Sequence, residues 1–263
     1  MLKSNFHTHT YRCKHAGGTE QDLVHCALLS QMTHLGFSEH APYPDNRFGL
    51  RMDYSELVDY RDTIKALQKR YQDQLTIHLG LEIEYDPSQK DYYRFLKEDL
   101  GIEYLALGQH IYVSPASHDH FVNVYSLKTT HQYVEYAHTV CEAIKTGFFS
   151  FVAHPDVIFI NDLPWDENCE KACDLIIDCA KEQQIILEFN ANGIRRGLNT
   201  YCDGERYPYP HQRFWEKVSA ANIPVLISSD CHNPSQLWDD AMEEAYHLAG
   251  TWHLNLVQTL SFF

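Results

Sequence analysis

The sequence is short of basic residues: 21 Lys and Arg stand against 36 Asp and Glu, giving a formal net charge of −15 with histidine neutral. That argues against a nucleic-acid backbone as the main partner, since such binding is driven by cations that neutralise phosphates. A surplus of carboxylates suits a substrate that carries positive charge. Long apolar runs are missing as well. No uncharged stretch approaches the roughly 20 residues that a membrane span needs, and Met1-Leu2-Lys3-Ser4-Asn5 has no apolar signal core. The expectation is a cytoplasmic protein without membrane contact, in which the eight cysteines are free thiols. Cys169, Cys173 and Cys179 do not have zinc-knuckle spacing and are expected to be buried on a helix. No repeat, low-complexity tract or linker interrupts the chain, so residues 1–263 are expected to form one domain.

What the chain has in quantity is histidine, 17 in all. Several fall just behind short apolar runs, and the run-then-histidine punctuation organises the sequence. Strands are expected over Leu2 to His7, Phe37 to His40, Leu75 to Tyr85, Tyr104 to His110, Phe148 to His154, Ile185 to Asn190 and Pro224 to Ser229. Between them lie amphipathic segments with cap signals: Thr19 with Asp22, Ser55, Asp166 and the stop glycines Gly101 and Gly147. The first helix is expected to run on to Gly36. The segments Tyr43 to Asp53, Ser114 to Leu127 and Ala191 to Pro210 are expected to be loops.

Strict strand–helix alternation implies parallel strands with crossover helices, either doubly wound or closed into a barrel. The candidate ligands decide between the two. His7/His9, His40, Glu82, His110, His154 and Asp230/His232 sit at the C-terminal ends of six different strands. An open sheet would leave its edge residues far apart, whereas a barrel gathers every strand end around one mouth. The expected fold is an α/β, TIM-like (β/α)7 barrel, one unit short of the usual eight. Imidazoles mixed with carboxylates suit zinc, iron or manganese better than calcium or magnesium. His7, His9, His15, His40, Glu82, His110, His154, Asp230 and His232 are too many ligands for one ion, and are about right for two or three that share Glu82.

His7-Thr8-His9 with Cys13-x-His15, Ser38-Glu39-His40, Gly80-Leu81-Glu82, Gly108-Gln109-His110, Ala153-His154-Pro155 and Ser229-Asp230-Cys231-His232 resemble the successive motifs of the PHP (polymerase and histidinol phosphatase) family. Cys13-x-His15, Glu39-His40-Ala41-Pro42 and Glu188-Phe189-Asn190-x-x-Gly193-x-Arg195 resemble its histidinol-phosphate phosphatase branch. The resemblance implies a distorted seven-stranded barrel and three divalent transition-metal ions. By position, His7, His9, Glu82 and Asp230 would hold the first ion, Glu82, His110 and His154 the second, and His15, His40 and His232 the third. It also implies attack on phosphorus by a hydroxide bridging the first two ions, with Arg195 on the phosphate.

Glu82, Asp230 and Arg195 are therefore the expected catalytic residues. Arg195 is also expected to bind substrate, as are Glu84 and Glu188, the nearest carboxylates for the ammonium and imidazole of L-histidinol phosphate. Adjacent loop residues point apart, so Arg196 is expected to be solvated. Asp156, Glu39, His118 and His120 are all candidates to protonate the leaving group. The partner implied is a small phosphate monoester, for a monomer or small homo-oligomer serving histidine biosynthesis. The alternative is a PHP phosphoesterase acting on a nucleotide or oligonucleotide, which would want a basic track the charge balance disfavours. A decayed, non-enzymatic scaffold would lack ligands, and none is missing. A metal-dependent amidohydrolase would want a strand-end lysine where this chain has Glu82.

Overall fold

The computed structural model describes residues 2–115 and 121–260. Its centre is a curled parallel sheet whose strands follow chain order: β1 (Ser4–Asn5), β2 (His34–His40), β3 (Thr76–Ile83), β4 (Tyr104–Leu107), β5 (Phe151–Val152), β6 (Ile186–Asn190), β7 (Pro224–Ser228) and β8 (Asn255–Leu256). The seven expected strands are all present, mostly shorter than expected. The eighth is two residues long and comes after the last helix, too short to leave a periodic signal. It pairs with the start of β7, at Pro224 and Val225. At the other end of β7 the sheet closes on itself: Thr8 bridges Cys231 in parallel, and the His9 amide donates to the Cys231 carbonyl at 3.0 Å. The C-terminal strand ends therefore ring a mouth.

Helices on the outside follow the cap signals except at Ser55, which lies inside a short turn, Tyr54–Glu56, that leads into the second long helix and has Asp53 before it. Thr19 and Asp22 form a reciprocal capping box for α1 (Glu20–Leu29). The helices α2 (Leu57–Tyr71), α4 (His131–Lys145) and α5 (Glu167–Gln183) come next, and Asp166 accepts from two amides at the start of α5. Between α2 and α4, α3 (Lys90–Arg94) passes into a π turn at Phe95–Asp99 and stops at Gly101, whose φ of 75° suits glycine. α1 ends at Leu29 and not at Gly36, which lies inside β2. Gly36 and Gly80 are bare because Tyr104 occupies the space a side chain would need. That ring fills the barrel interior with Phe6, Ala106, Phe151, Ala153, Leu226 and Leu260, and its hydroxyl donates to the carbonyls of Phe6 and Phe37, each at 2.9 Å. A much larger apolar layer packs the sheet against the helices.

Two of the expected loops are partly regular. Ile111–Val113 pairs antiparallel with Phe121–Asn123. The stretch after β6 begins with a helical turn, α6 (Ala191–Arg195), and continues as a hairpin of Asn199–Tyr201 with Gly204–Arg206. The chain finishes with α7 (Gln212–Ala220) and α8 (Asp240–Thr251). No helix among the described residues is long and apolar enough to cross a membrane.

Candidate metal centre

Period-two alternation at the end of β1 turns His7 and His9 to the same side, both fully buried, with ring centroids 5.0 Å apart. In register on the neighbouring strands, His40 of β2 pairs with Glu82 of β3, and Glu82 with Ala106 of β4. The Glu82 carboxylate is the hub. Its Oε2 lies 3.3 Å from His7 Nε2, 3.5 Å from His9 Nε2 and 3.0 Å from His40 Nδ1. Its Oε1 lies 2.9 Å from His154 Nε2 and 3.4 Å from His110 Nε2. Gly108 makes room: a side chain there would overlap Glu82. His154 and Asp230 reach inward from left-handed backbone, φ 30° and 46°, conformations that side chains other than glycine adopt at a cost and that cluster at functional sites. Asp230 Oδ1 completes the first group, 3.2 Å from His9 Nε2 and 3.6 Å from His7 Nε2.

Most of these imidazoles are held from behind. His7 Nδ1 meets Glu188 at 2.8 Å, His9 Nδ1 meets Glu39 at 3.3 Å, and His110 Nδ1 meets Glu84 at 3.2 Å. An imidazole that gives its Nδ1 proton to a carboxylate presents a lone pair on Nε2, the arrangement of metal-bound histidines. His15 and His232 sharpen the point. Each gives Nδ1 to a backbone carbonyl, Cys13 at 2.8 Å and Asp230 at 3.1 Å, which can only accept. Their two Nε2 atoms then face one another at 2.9 Å. With both rings neutral that contact sets lone pair against lone pair, and a proton or a metal cation between them relieves it. His7 Nε2, His9 Nε2 and Glu82 Oε2 are likewise buried without a hydrogen-bond partner. Ligand-distance groups form from His7, His9 and Asp230, from His7, Glu82 and His154, and from His9, His40 and His232. The donor set fits divalent transition metals.

Carboxylates crowd the mouth and draw positive charge into it. Burial opposes charge on His7, yet Glu188, Glu82 and Asp230 hold it well above its ordinary value. His9 is raised to about 9, its burial outweighed by the carboxylates of Asp230 and Glu39. Burial, with the neighbouring His9, pushes His40 down to about 3 and His232 down to about 4. Glu82 and Asp230 stay ionised despite burial because histidines surround them.

The mouth opens into a cavity of about 460 Å³ lined by His15, His40, Arg51, His110, Tyr125 and Arg196, among others. Three sequence expectations need correction here. Arg195 does not line this cavity: its guanidinium pairs with Asp239 at 2.8 and 3.1 Å and donates to the Ser229 carbonyl at 3.0 Å. The residue that lines it is Arg196, over the ring of Tyr209 and without an ion pair among the described residues. The cause is the helical turn α6, which replaces the alternation of an extended loop. Glu84 and Glu188 do not line the cavity either. Both are fully buried behind histidines, and Glu84 is further tied up by Arg51 at 2.9 and 3.1 Å. Of the proton-donor candidates, Glu39 accepts from the Thr10 amide and hydroxyl, and Asp156 accepts from the His211 amide and the Trp215 indole. His118 and His120 lie outside the described residues.

Sequence reasoning missed Arg51 and Tyr125, which sit on loops without a motif, and Asn190 and Asn192, whose amides donate to Asp230 Oδ2 at 3.3 and 3.1 Å. Only Asn190 had a signal, sharing a strand face with Glu188.

A PHP domain model matches residues 5–192. A protein of Deinococcus radiodurans named "Probable histidinol-phosphatase" is 28% identical over 261 residues, covering 93% of each chain. The histidinol-phosphatase of Bacillus subtilis is 24% identical, covering 88% of this chain and 94% of its own. Among solved structures, histidinol phosphate phosphatase from Lactococcus lactis, complexed with zinc, L-histidinol and phosphate, superposes with a TM-score of 0.72 at 15% identity, covering 98% of both chains. With most of its length matched by the family model and every motif of the mouth in place, the chain belongs to the PHP domain family.

Proposed function

We propose that this protein hydrolyses L-histidinol phosphate to L-histidinol and phosphate, using divalent metal ions at the barrel mouth. The observation that carries the reading is the Glu82 carboxylate, one oxygen facing His7 and His9 and the other facing His110 and His154. A carboxylate so placed would be shared by two ions. His7, His9, Glu82 and Asp230 would hold the first, Glu82, His110 and His154 the second, and His15, His40 and His232 a third. Zinc, manganese and iron all suit these donors. Ions held there would supply Lewis-acid charge against the phosphate oxygens and acidify a water near neutral pH.

The rest falls to the chain. Arg196 lines the cavity and would bind a non-bridging phosphate oxygen, with a guanidinium that keeps its charge and matches phosphate geometry. Asn190 and Asn192 fix the rotamer of Asp230. Glu39, Glu84 and Glu188 fix the ring planes and tautomers of His9, His110 and His7. The substrate assignment is supported by relatives of that name along nearly the whole chain, and by the L. lactis structure with L-histidinol and phosphate bound.

The test is a panel of phosphate monoesters assayed with metal-loaded protein. Histidinol phosphate should exceed sugar phosphates, nucleotides and an aryl phosphate in kcat/KM, and activity should vanish on chelation and return with metal. A nucleotide or a DNA end as the best substrate would overturn the assignment.

A further inference from the structure

The loop from Ala41 to Asp53 contains three non-glycine residues in the left-handed region: Asn46 (φ 51°), Phe48 (φ 63°) and Leu50 (φ 59°). Large side chains avoid that region, and such backbone persists only where its surroundings enforce it. Directly after Leu50 comes Arg51, turned inward and 7% exposed. Its two terminal nitrogens grip both oxygens of Glu84, Nη1 on Oε2 at 2.9 Å and Nη2 on Oε1 at 3.1 Å, and Nη1 also donates to the Ala41 carbonyl at 3.1 Å. Phe48 packs over the guanidinium at 5.3 Å and meets Phe121 edge-on at 5.0 Å. The same Glu84 Oε1 takes the His110 Nδ1 proton at 3.2 Å, which leaves His110 Nε2 aimed at Glu82.

We infer that Arg51 is a positioning residue for the metal centre, setting the affinity for the ion held by His110 and tying that affinity to the conformation of the mouth loop. The inference rests on the metal-centre reading above. A fork on both carboxylate oxygens removes the rotation that would otherwise let Glu84 release His110, so the ring plane and tautomer are fixed before any ion arrives. Arg51 is drawn away from a phosphate in this arrangement: its charge is paired with Glu84, which takes an N–H from each terminal nitrogen, and Nε is buried without a partner. Arg196, which has no ion pair among the described residues, is the cation left to face a phosphate in the mouth.

The test is metal binding to chelator-stripped protein, with zinc titrated against a chromophoric chelator and cobalt(II) followed by its visible spectrum. Arg51→Met should weaken one class of site by about 10–100-fold, the size typical of losing a partner behind a metal-bound histidine, and leave the other sites unchanged. Arg51→Lys restores charge without the fork and should recover only part of the loss. Glu84→Gln should reproduce it, and the double variant should be no worse than Glu84→Gln alone. Metal affinity within twofold of wild type in Arg51→Met overturns the inference. So does a raised KM with unchanged metal affinity, which would make Arg51 a substrate contact. If Arg51→Met does not fold, Glu84→Gln decides by the same criterion. A wild-type protein that binds no metal tightly removes the metal-centre reading itself, and the inference with it.

Discussion

Tyr104 and Glu82 are two fully buried, inward-facing side chains on neighbouring strands, and glycines make the space for both. Tyr104 fills the body of the barrel. Its ring sits among Phe6, Phe151 and Leu226, and its one polar atom is satisfied by two carbonyls. Glu82 fills the mouth, and there satisfaction is left incomplete: five imidazoles converge on two oxygens, one of which has no hydrogen bond. The polar atom of Tyr104 is satisfied within the chain, whereas His7 Nε2, His9 Nε2 and Glu82 Oε2 at the mouth are left without a hydrogen-bond partner. Substitutions along this contrast should separate the two kinds of buried polarity.

Glu82→Ala should have the largest effect, a fall in kcat/KM of more than about 10³-fold, together with loss of bound metal. Elemental analysis alongside the assay checks it, and full occupancy with turnover intact would put the hub elsewhere. Next comes the arginine pair. Arg196→Met should cost about 10²–10³-fold in kcat/KM with metal content unchanged. Arg195→Met should cost less than about tenfold, its damage appearing instead as about 1–2 kcal/mol of stability lost with the Asp239 pair, read by denaturant unfolding. A reversed order would mean that the turn α6 is not what orients these residues. A smaller effect is expected behind His7: Glu188→Gln should weaken metal binding by about 10–100-fold, measured by competition with a chelator. Least affected in function should be Tyr104→Phe. Losing the hydroxyl should cost about 1–3 kcal/mol in denaturant unfolding and leave metal content and kcat/KM within about twofold of wild type. Loss of metal in that variant would dissolve the distinction between body and mouth.

Much of this architecture is legible in the sequence, and the reason is locality. Thr19 with Asp22, Asp166, and the stop glycines Gly101 and Gly147 act through their own neighbours in the chain, and each is found where the sequence puts it. The strand-end ligands are legible because one barrel rule converts many separate positions into one place. The features that sequence reasoning misplaces depend on partners distant in the chain. Gly36 reads as a helix stop, and Tyr104 and Phe6, which reach it from other parts of the barrel, explain why a strand position is left bare. Arg195 turns to Asp239 and Arg196 lines the cavity because of a five-residue helical turn too short to show periodicity. Glu84 and Glu188 lie on the expected strands but at a different depth: they reach histidines and not the cavity, and the partner that engages Glu84, Arg51, sits on a loop with no pattern to announce it.

The central claim is that Glu82 bridges two ions, and anomalous diffraction from crystals grown with zinc, collected at the zinc edge, tests it most directly. The account predicts one peak at about 2.0–2.2 Å from Glu82 Oε2, shared with His7 and His9, and a second at the same distance from Oε1, shared with His110 and His154. A single peak, or peaks that Glu82 does not touch, would contradict it.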